Sequence, residues 1–128
     1  MIDIDVINMG MYTQVILIAE IKTEFIKYVD KIIDNDGKSW ELLPIKSKSL
    51  KDFLKCERYS CIPFGTEIGF YPRPSFNKDT GRLIAWFALK DYDDETELFY
   101  EVLKEISDEI ICYKTKLDIS NKKWFSYK

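Results

Sequence analysis

The sequence predicts one α+β domain, in which two main helices and one short helix pack on a mostly antiparallel or mixed sheet. Apolar runs that favour strands are interspersed with segments whose apolar residues recur every three or four positions, as in helices. Prolines and glycines fall singly between these runs and mark turns. The length of 128 residues suits one domain and is short for two, so residues 1–128 are assigned to a single domain.

The first part of the chain contains two predicted strands and a helix. Residues 2–6 alternate between apolar and acidic side chains, as in a half-exposed strand, and the branched run from Thr13 to Ile21 predicts a more buried strand. Helical spacing then predicts a helix from Thr23, its N-cap, to about Asp34. An alternative stays open, in which residues 13–21 belong to one longer helix from Tyr12, because a short apolar run does not distinguish strand from helix.

The middle of the chain contains short predicted elements. Residues 40–43 suggest a strand, and residues 49–54 suggest a short helix capped by its first serine. Two further strands are predicted at Thr66 to Tyr71 and at Arg82 to Lys90, with a turn at residues 77–81 between them. The second of these strands is apolar at almost every position, so we place it centrally in a sheet covered by helices.

The last part of the chain contains the clearest helical pattern. Asp93 and Asp94 offer capping oxygens before a helix that we expect to run from about Asp94 to Glu109. Its apolar residues recur at spacings of three and four: Leu98, Phe99, Val102, Leu103, Ile106 and Ile110. A last strand is predicted at residues 111–117, and we expect the aromatic residues of the tail at 124–127 to pack back on the body.

Several chemistries lack the residues that they require. The sequence contains no histidine, which is the commonest general base and metal ligand. The glycines match neither the phosphate-loop nor the dinucleotide-binding spacing. Cys56 and Cys61 have no histidine to complete a zinc site. We therefore expect no catalytic residues, no metal, no cofactor and a function other than catalysis.

Acidic residues form a cluster and a row around the last helix. The cluster from Asp91 to Glu97 begins like a calcium loop, but Thr96 and Val102 stand where the loop needs glycine and glutamate. Acids also gather before a helix because its first amides and its dipole favour them. Further on, Glu97, Glu101, Glu105 and Glu109 repeat every four residues, and each like-charge pair opposes the helix by about 0.2–0.5 kcal/mol. The row, with Asp93 and Asp94, predicts a surface for a basic partner; a merely solvated face is the alternative.

Basic residues concentrate in residues 46–90, whereas acids dominate both flanking segments. The basic segment also contains aromatic residues, which allows a groove for single-stranded nucleic acid. An isoelectric point of about 5.1 and the lack of an RNA-binding motif argue against nucleic acid. Within the segment, Pro72 and Pro74 restrict the backbone, so Tyr71 and Arg73 are further candidate contact residues. A simple turn after a strand is the other interpretation.

The compartment is expected to be the cytoplasm. No apolar run approaches the roughly 20 residues that span a bilayer, and the first residues are acidic where a secretory signal needs positive charge. Three irregularly spaced cysteines do not form a disulfide framework. We therefore expect no membrane association.

The chain resembles the small acidic immunity proteins that neutralise bacterial polymorphic toxins, including those of contact-dependent inhibition systems. The resemblance lies in a histidine-free α+β domain, in the stretch from Trp86 to Tyr100 that runs from a strand into an acidic helix, and in the missing catalytic motif. It implies an intracellular inhibitor that binds a cognate toxin, often a basic nuclease, and blocks its active site.

Two other classes of function remain open. The segment from Val15 to Lys22 and the following helix are similar to the opening of small α+β monooxygenase-like domains. A ferredoxin-like small-molecule binder or cofactor-free enzyme, with a pocket near Trp40, Trp86 and Tyr92, is therefore the first alternative. A nucleic-acid-binding or phage anti-defence protein is the second.

Overall fold

The structure is a computed structural model that describes residues 12–35, 39–55, 73–90, 94–117 and 124–126. The strands expected at residues 2–6 and 66–71 lie outside the described residues, as do the candidate contact residues Tyr71 and Asp93.

The described elements form one α+β unit, as predicted. In chain order they are β1 (Tyr12–Ile21), a 3-10 helix (Thr23–Phe25), α1 (Ile26–Asp34), a second 3-10 helix (Trp40–Leu42), α2 (Lys48–Leu54), β2 (Ser75–Asn77), β3 (Arg82–Lys90), α3 (Glu95–Ile106), β4 (Ser107–Leu117) and β5 (Phe125–Ser126). The strands form one sheet in the order β2-β3-β1-β4-β5. Each neighbouring pair in this sheet is antiparallel.

Strand β1 lies at the centre of the sheet and pairs with both β3 and β4. Its alternate residues Val15, Leu17 and Ala19 are fully buried, and the residues between them are partly exposed. This period of two is that of a strand with one face on the core. The strand predicted at residues 13–21 is therefore confirmed, and the alternative of one longer helix from Tyr12 is wrong.

The described helices cover one face of the sheet and share a single core with it. Helix α3 buries Phe99, Val102, Leu103 and Ile106. The ring of Phe99 meets those of Trp40 and Phe87 edge-on, at centroid distances of 5.3 and 6.0 Å. Helix α3 is thus confirmed in position, and the side of the helix opposite its buried residues is exposed to solvent.

The strand expected at residues 40–43 is wrong. Ser39 takes a left-handed backbone conformation, and a 3-10 turn follows at Trp40–Leu42. This turn places Trp40 in the core with 2% of its surface exposed, whereas Leu42 is 59% exposed. The backbone at residues 40–42 therefore buries the single side chain of Trp40, and does not follow the alternation of a strand.

Among the described residues, helices lie on one face of β3 only, and two residues of its other face are partly exposed, so the expectation of a strand covered by helices on both faces is wrong. Its residues Leu83, Ala85 and Phe87 face the core, whereas Ile84 is 42% and Trp86 is 44% exposed. We define the open face of the sheet as the face that points away from the described helices, on which part of β3 is exposed. Apolar residues on this open face gave β3 the sequence pattern of a doubly buried strand.

Two helix boundaries differ from the predicted ones. Helix α3 ends at Ile106, because Ser107 is already extended and pairs with Ile21 in the sheet. Glu109 therefore lies in β4, opposite Glu20, and not on the helix. Helix α2 is capped by Ser47 instead of Ser49, since the Ser47 hydroxyl accepts a hydrogen bond from the Leu50 amide at 3.4 Å.

Candidate protein-binding surface

Helix α3 presents acidic side chains on the side opposite its buried face. Glu97 and Glu101 are exposed on the helix, and Asp94 is exposed at the residue that precedes it. We call Asp94, Glu97 and Glu101 the acidic ridge. The spacing of Glu97 and Glu101 predicted their common orientation, since residues four apart share a helix face.

Asp94 occupies the N-cap position without acting as a side-chain cap. Its backbone is left-handed, with φ of 62°, and its carboxylate makes no capping hydrogen bond. The expectation that Asp94 supplies a capping oxygen is therefore wrong. Aspartate is among the residues that tolerate this conformation. Its carboxylate is exposed and adds negative charge at the start of the ridge.

Glu105 belongs to the predicted row but has a different role in the fold. Its Oε2 atom accepts a hydrogen bond of 2.7 Å from the backbone amide of Lys46. Lys46 follows Ile45, which is 1% exposed. Glu105 thus ties the segment that precedes α2 to α3, across 59 positions of sequence.

Replacing Glu105 with alanine is expected to lower the free energy of unfolding by about 1 kcal/mol, because the Lys46 amide loses its acceptor. Glu105→Gln keeps a carboxamide oxygen at the same place and is the matched control. Urea denaturation of both variants measures the difference. Equal stability of the two variants would show that this hydrogen bond contributes nothing.

Basic side chains near the ridge neutralise only part of its charge. The Nζ atom of Lys104 lies 3.7 Å from Oε2 of Glu101, and both side chains are about half exposed. An exposed ion pair of this kind contributes little to stability because water screens it. Lys104 also lies 5.7 Å from the ring centroid of Tyr100. The net charge of the ridge is therefore negative even with Lys104 included.

Arg73 lies apart from the acidic ridge. Its guanidinium donates a hydrogen bond of 3.4 Å to the carbonyl oxygen of Ile33, in the last turn of α1. A cation is favourable there because the carbonyl end of a helix is negative. The structure thus brings Asp94, Glu97 and Glu101 together and places Arg73 at another helix.

The pocket expected near Trp40 and Trp86 is wrong, because the two indoles lie on opposite sides of the sheet. Trp40 is in the core beside Phe99, whereas Trp86 is on the open face. Tyr92 lies outside the described residues. A cleft of about 560 Å³ runs along β4, from Tyr100 and Ser107 to Ser126.

The basic segment does not form one surface in the described part of the chain. Lys48 pairs with Asp52 on α2, at 3.8 Å. Arg82 binds Glu20 on the open face of the sheet. These two bases thus lie on different layers of the fold, one on a helix and one on the opposite face of the sheet.

The open face contains apolar residues that sequence reasoning did not single out as a surface. Ile16 lies opposite Trp86, and Ile18 lies opposite Ile84, so the four side chains are neighbours. We call Ile16, Ile18, Ile84 and Trp86 the apolar stripe. The available signal was the apolar run of β3, which we interpreted as a strand covered on both faces.

The described residues contain neither a cluster suited to a metal ion nor a helix suited to a membrane. No group of three or more acidic or cysteine side chains is placed to hold a metal ion in these residues. No helix among them is long and apolar enough to cross a membrane. In comparisons with known proteins, no family model, no curated protein and no solved structure matches the chain.

Proposed function

We propose that the chain is a protein-binding inhibitor of the immunity type, which binds a basic toxin inside the cell through the acidic ridge. The observation that carries this proposal is the exposure of Asp94, Glu97 and Glu101 along a helix that is buried on its other side. Such a helix is a rigid support, so the backbone positions of the three acidic residues have nearly the same spacing before and after binding. A preorganised surface loses little conformational entropy on association.

Electrostatics explains why a basic partner is the best fit. Glu97 and Glu101 repel each other in the free protein, and this repulsion becomes attraction when a cationic surface approaches. A field of one sign also steers the encounter and raises the association rate. An inhibitor that acts by covering an active site needs no catalytic group, in keeping with the sequence.

The ridge can be neutralised without changing its shape. The variant D94N/E97Q/E101Q keeps every side chain nearly isosteric, and asparagine also tolerates the left-handed backbone at position 94. The matched control is E24Q/D34N/E41Q, which changes the net charge equally at exposed residues of other elements. In the ridge variant, loss of the repulsion between the acidic side chains raises the free energy of unfolding. Loss of the favourable interaction of these acids with the helix dipole lowers it. We therefore expect the free energy of unfolding to stay within about 1 kcal/mol of the wild-type value.

Affinity capture from the cells that encode the chain tests the proposal. Tagged wild type and the control variant should retain the same basic protein, identified by mass spectrometry, and the ridge variant should lose most of it. Wild type should also protect cells that produce the captured protein, and the ridge variant should protect them poorly. A co-purifying metabolite without a protein, or equal retention by the ridge and control variants, would overturn the proposal.

A further inference from the structure

The cleft along β4 lies next to the acidic ridge. It has a volume of about 560 Å³, and its walls come from the last two turns of α3, from β4 and from β5. Lys104, in the α3 wall, lies 3.7 Å from Glu101 of the ridge. A partner that covers the ridge is therefore within reach of the cleft.

A buried hydroxyl belongs to the wall of the cleft. Ser107 lines the cleft and is 7% exposed. Its Oγ atom is buried without a hydrogen-bond partner in the described part of the chain. Burial of an unbonded hydroxyl is unfavourable, and such groups are few in folded proteins. Rotation about the Cα–Cβ bond can turn this hydroxyl toward a group that enters the cleft, so Ser107 indicates a polar ligand.

The end of the cleft at Ser107 suits a cation. Ser107 directly follows α3, and the carbonyl end of a helix favours positive charge. Asp108 and Glu109 continue the wall, and both are exposed. The charge of Lys104 is offset by its ion pair with the acidic ridge. Lys114 lines the other end of the cleft, roughly 20 Å away at the rise of a strand.

Apolar side chains continue the wall beyond this acidic end. Ile110 is partly buried and Ile111 is 44% exposed, and both line the cleft. An arginine side chain combines an aliphatic stem with a planar guanidinium that has five N–H donors. Its stem would lie along the isoleucines, while the guanidinium donates to the Ser107 hydroxyl and to the Asp108 carboxylate. The compact ammonium of lysine has fewer donors in a less extended geometry, so arginine fits this wall better.

We propose that the cleft binds a guanidinium group, which the basic partner supplies as an arginine side chain. The source of the arginine rests on the proposed function, whereas the cleft itself does not. The acidic ridge attracts the partner at long range, and the cleft holds one of its residues at short range. Exposed charges mainly change the association rate, and buried hydrogen-bonded contacts mainly change the dissociation rate. The two surfaces therefore have separable kinetic effects.

Titration with N-acetylarginine amide, followed by nuclear magnetic resonance, tests the cleft without the partner. The probe should cause saturable shifts of the backbone amides at residues 107–110, and the uncharged N-acetylcitrulline amide should not. Ser107→Ala and Asp108→Asn should each raise the dissociation constant several-fold. Ser107→Ala should still fold, because it removes a buried hydroxyl that makes no hydrogen bond in the described part of the chain. The matched control Asp34→Asn, at an exposed residue of α1, should bind like wild type.

Kinetics with the captured basic protein test the source of the arginine. The variant S107A/D108N should release that protein several-fold faster than wild type and associate with it at nearly the wild-type rate. Failure to capture a basic protein would overturn the proposed function and this source, while the titration still decides whether the cleft binds arginine. No saturable binding of the arginine probe, equal binding of the citrulline probe, or unchanged release by S107A/D108N would each overturn the inference.

Discussion

Replacing Phe99 with alanine is expected to lower the free energy of unfolding by about 3–5 kcal/mol. The side chain is 1% exposed and joins α3 to the core between Trp40 and Phe87, both of which meet it edge-on. Truncation removes this apolar burial and both aromatic contacts, and it leaves a cavity among rings that cannot collapse freely. Chemical denaturation followed by circular dichroism measures the change.

Phe125→Ala is the matched control for this truncation. Phe125 is 52% exposed in the two-residue strand β5. Its truncation should cost less than about 1 kcal/mol, the span of strand propensities. A Phe99 variant no less stable than the Phe125 variant would contradict the described core, and with it the support of the acidic ridge.

Replacing Gly81 with alanine is expected to cost at least about 2 kcal/mol of unfolding free energy. Gly81 closes the turn between β2 and β3 with φ of 83°. A Cβ atom there would lie 2.6 Å from the carbonyl oxygen of Ile21. This obstacle is backbone, and the Ile21 amide also donates a hydrogen bond of 2.8 Å to the Gly81 carbonyl oxygen. The substitution therefore strains the turn and the end of β1 together.

Two further variants separate the causes of that loss. Lys78→Ala, at an exposed residue of the same turn, should change the stability by less than about 0.5 kcal/mol. Gly81→Asn tolerates the left-handed backbone but adds the same Cβ atom, so it should recover at most about 1 kcal/mol relative to alanine. Gly81→Ala as stable as Lys78→Ala would contradict the close approach to Ile21.

The elements with a strong local pattern could be predicted from the sequence. The branched run of β1 indicated a strand, and the three-and-four spacing of α3 indicated a helix, because a buried helix face imposes its own period. Both predictions were right to within a few residues. The turn at residues 77–81 was also predictable. Asn77 accepts hydrogen bonds from Asp79 and Thr80 through its side chain, as short polar residues do in turns.

The predictions were wrong where contacts between residues far apart in the sequence decide the local structure. Trp40 enters the core through a 3-10 turn. The spacing of apolar residues in the sequence does not reveal such a turn. Helix α3 ends where Ser107 pairs with Ile21, so its length depends on a strand far away in sequence. Whether β3 is covered on one face or both depends on where the helices pack. A strand that is apolar on both faces has the same sequence pattern in either case.

The candidate surface could be predicted only in part. Spacing alone placed Glu97 and Glu101 on one face of α3. It could not show that Glu105 binds the Lys46 amide, because that contact joins separate segments of the chain. Nor could it show that Glu109 lies in a strand, opposite Glu20.

The most direct test of the account is the rate of association with the captured basic protein, measured by stopped-flow fluorescence at low and high salt. Wild type and the control variant E24Q/D34N/E41Q should associate rapidly at low salt and several-fold more slowly at high salt, because salt screens electrostatic steering. The ridge variant D94N/E97Q/E101Q should associate slowly at both salt concentrations. Equal rates and equal salt dependence for the ridge and control variants would contradict binding through the acidic ridge.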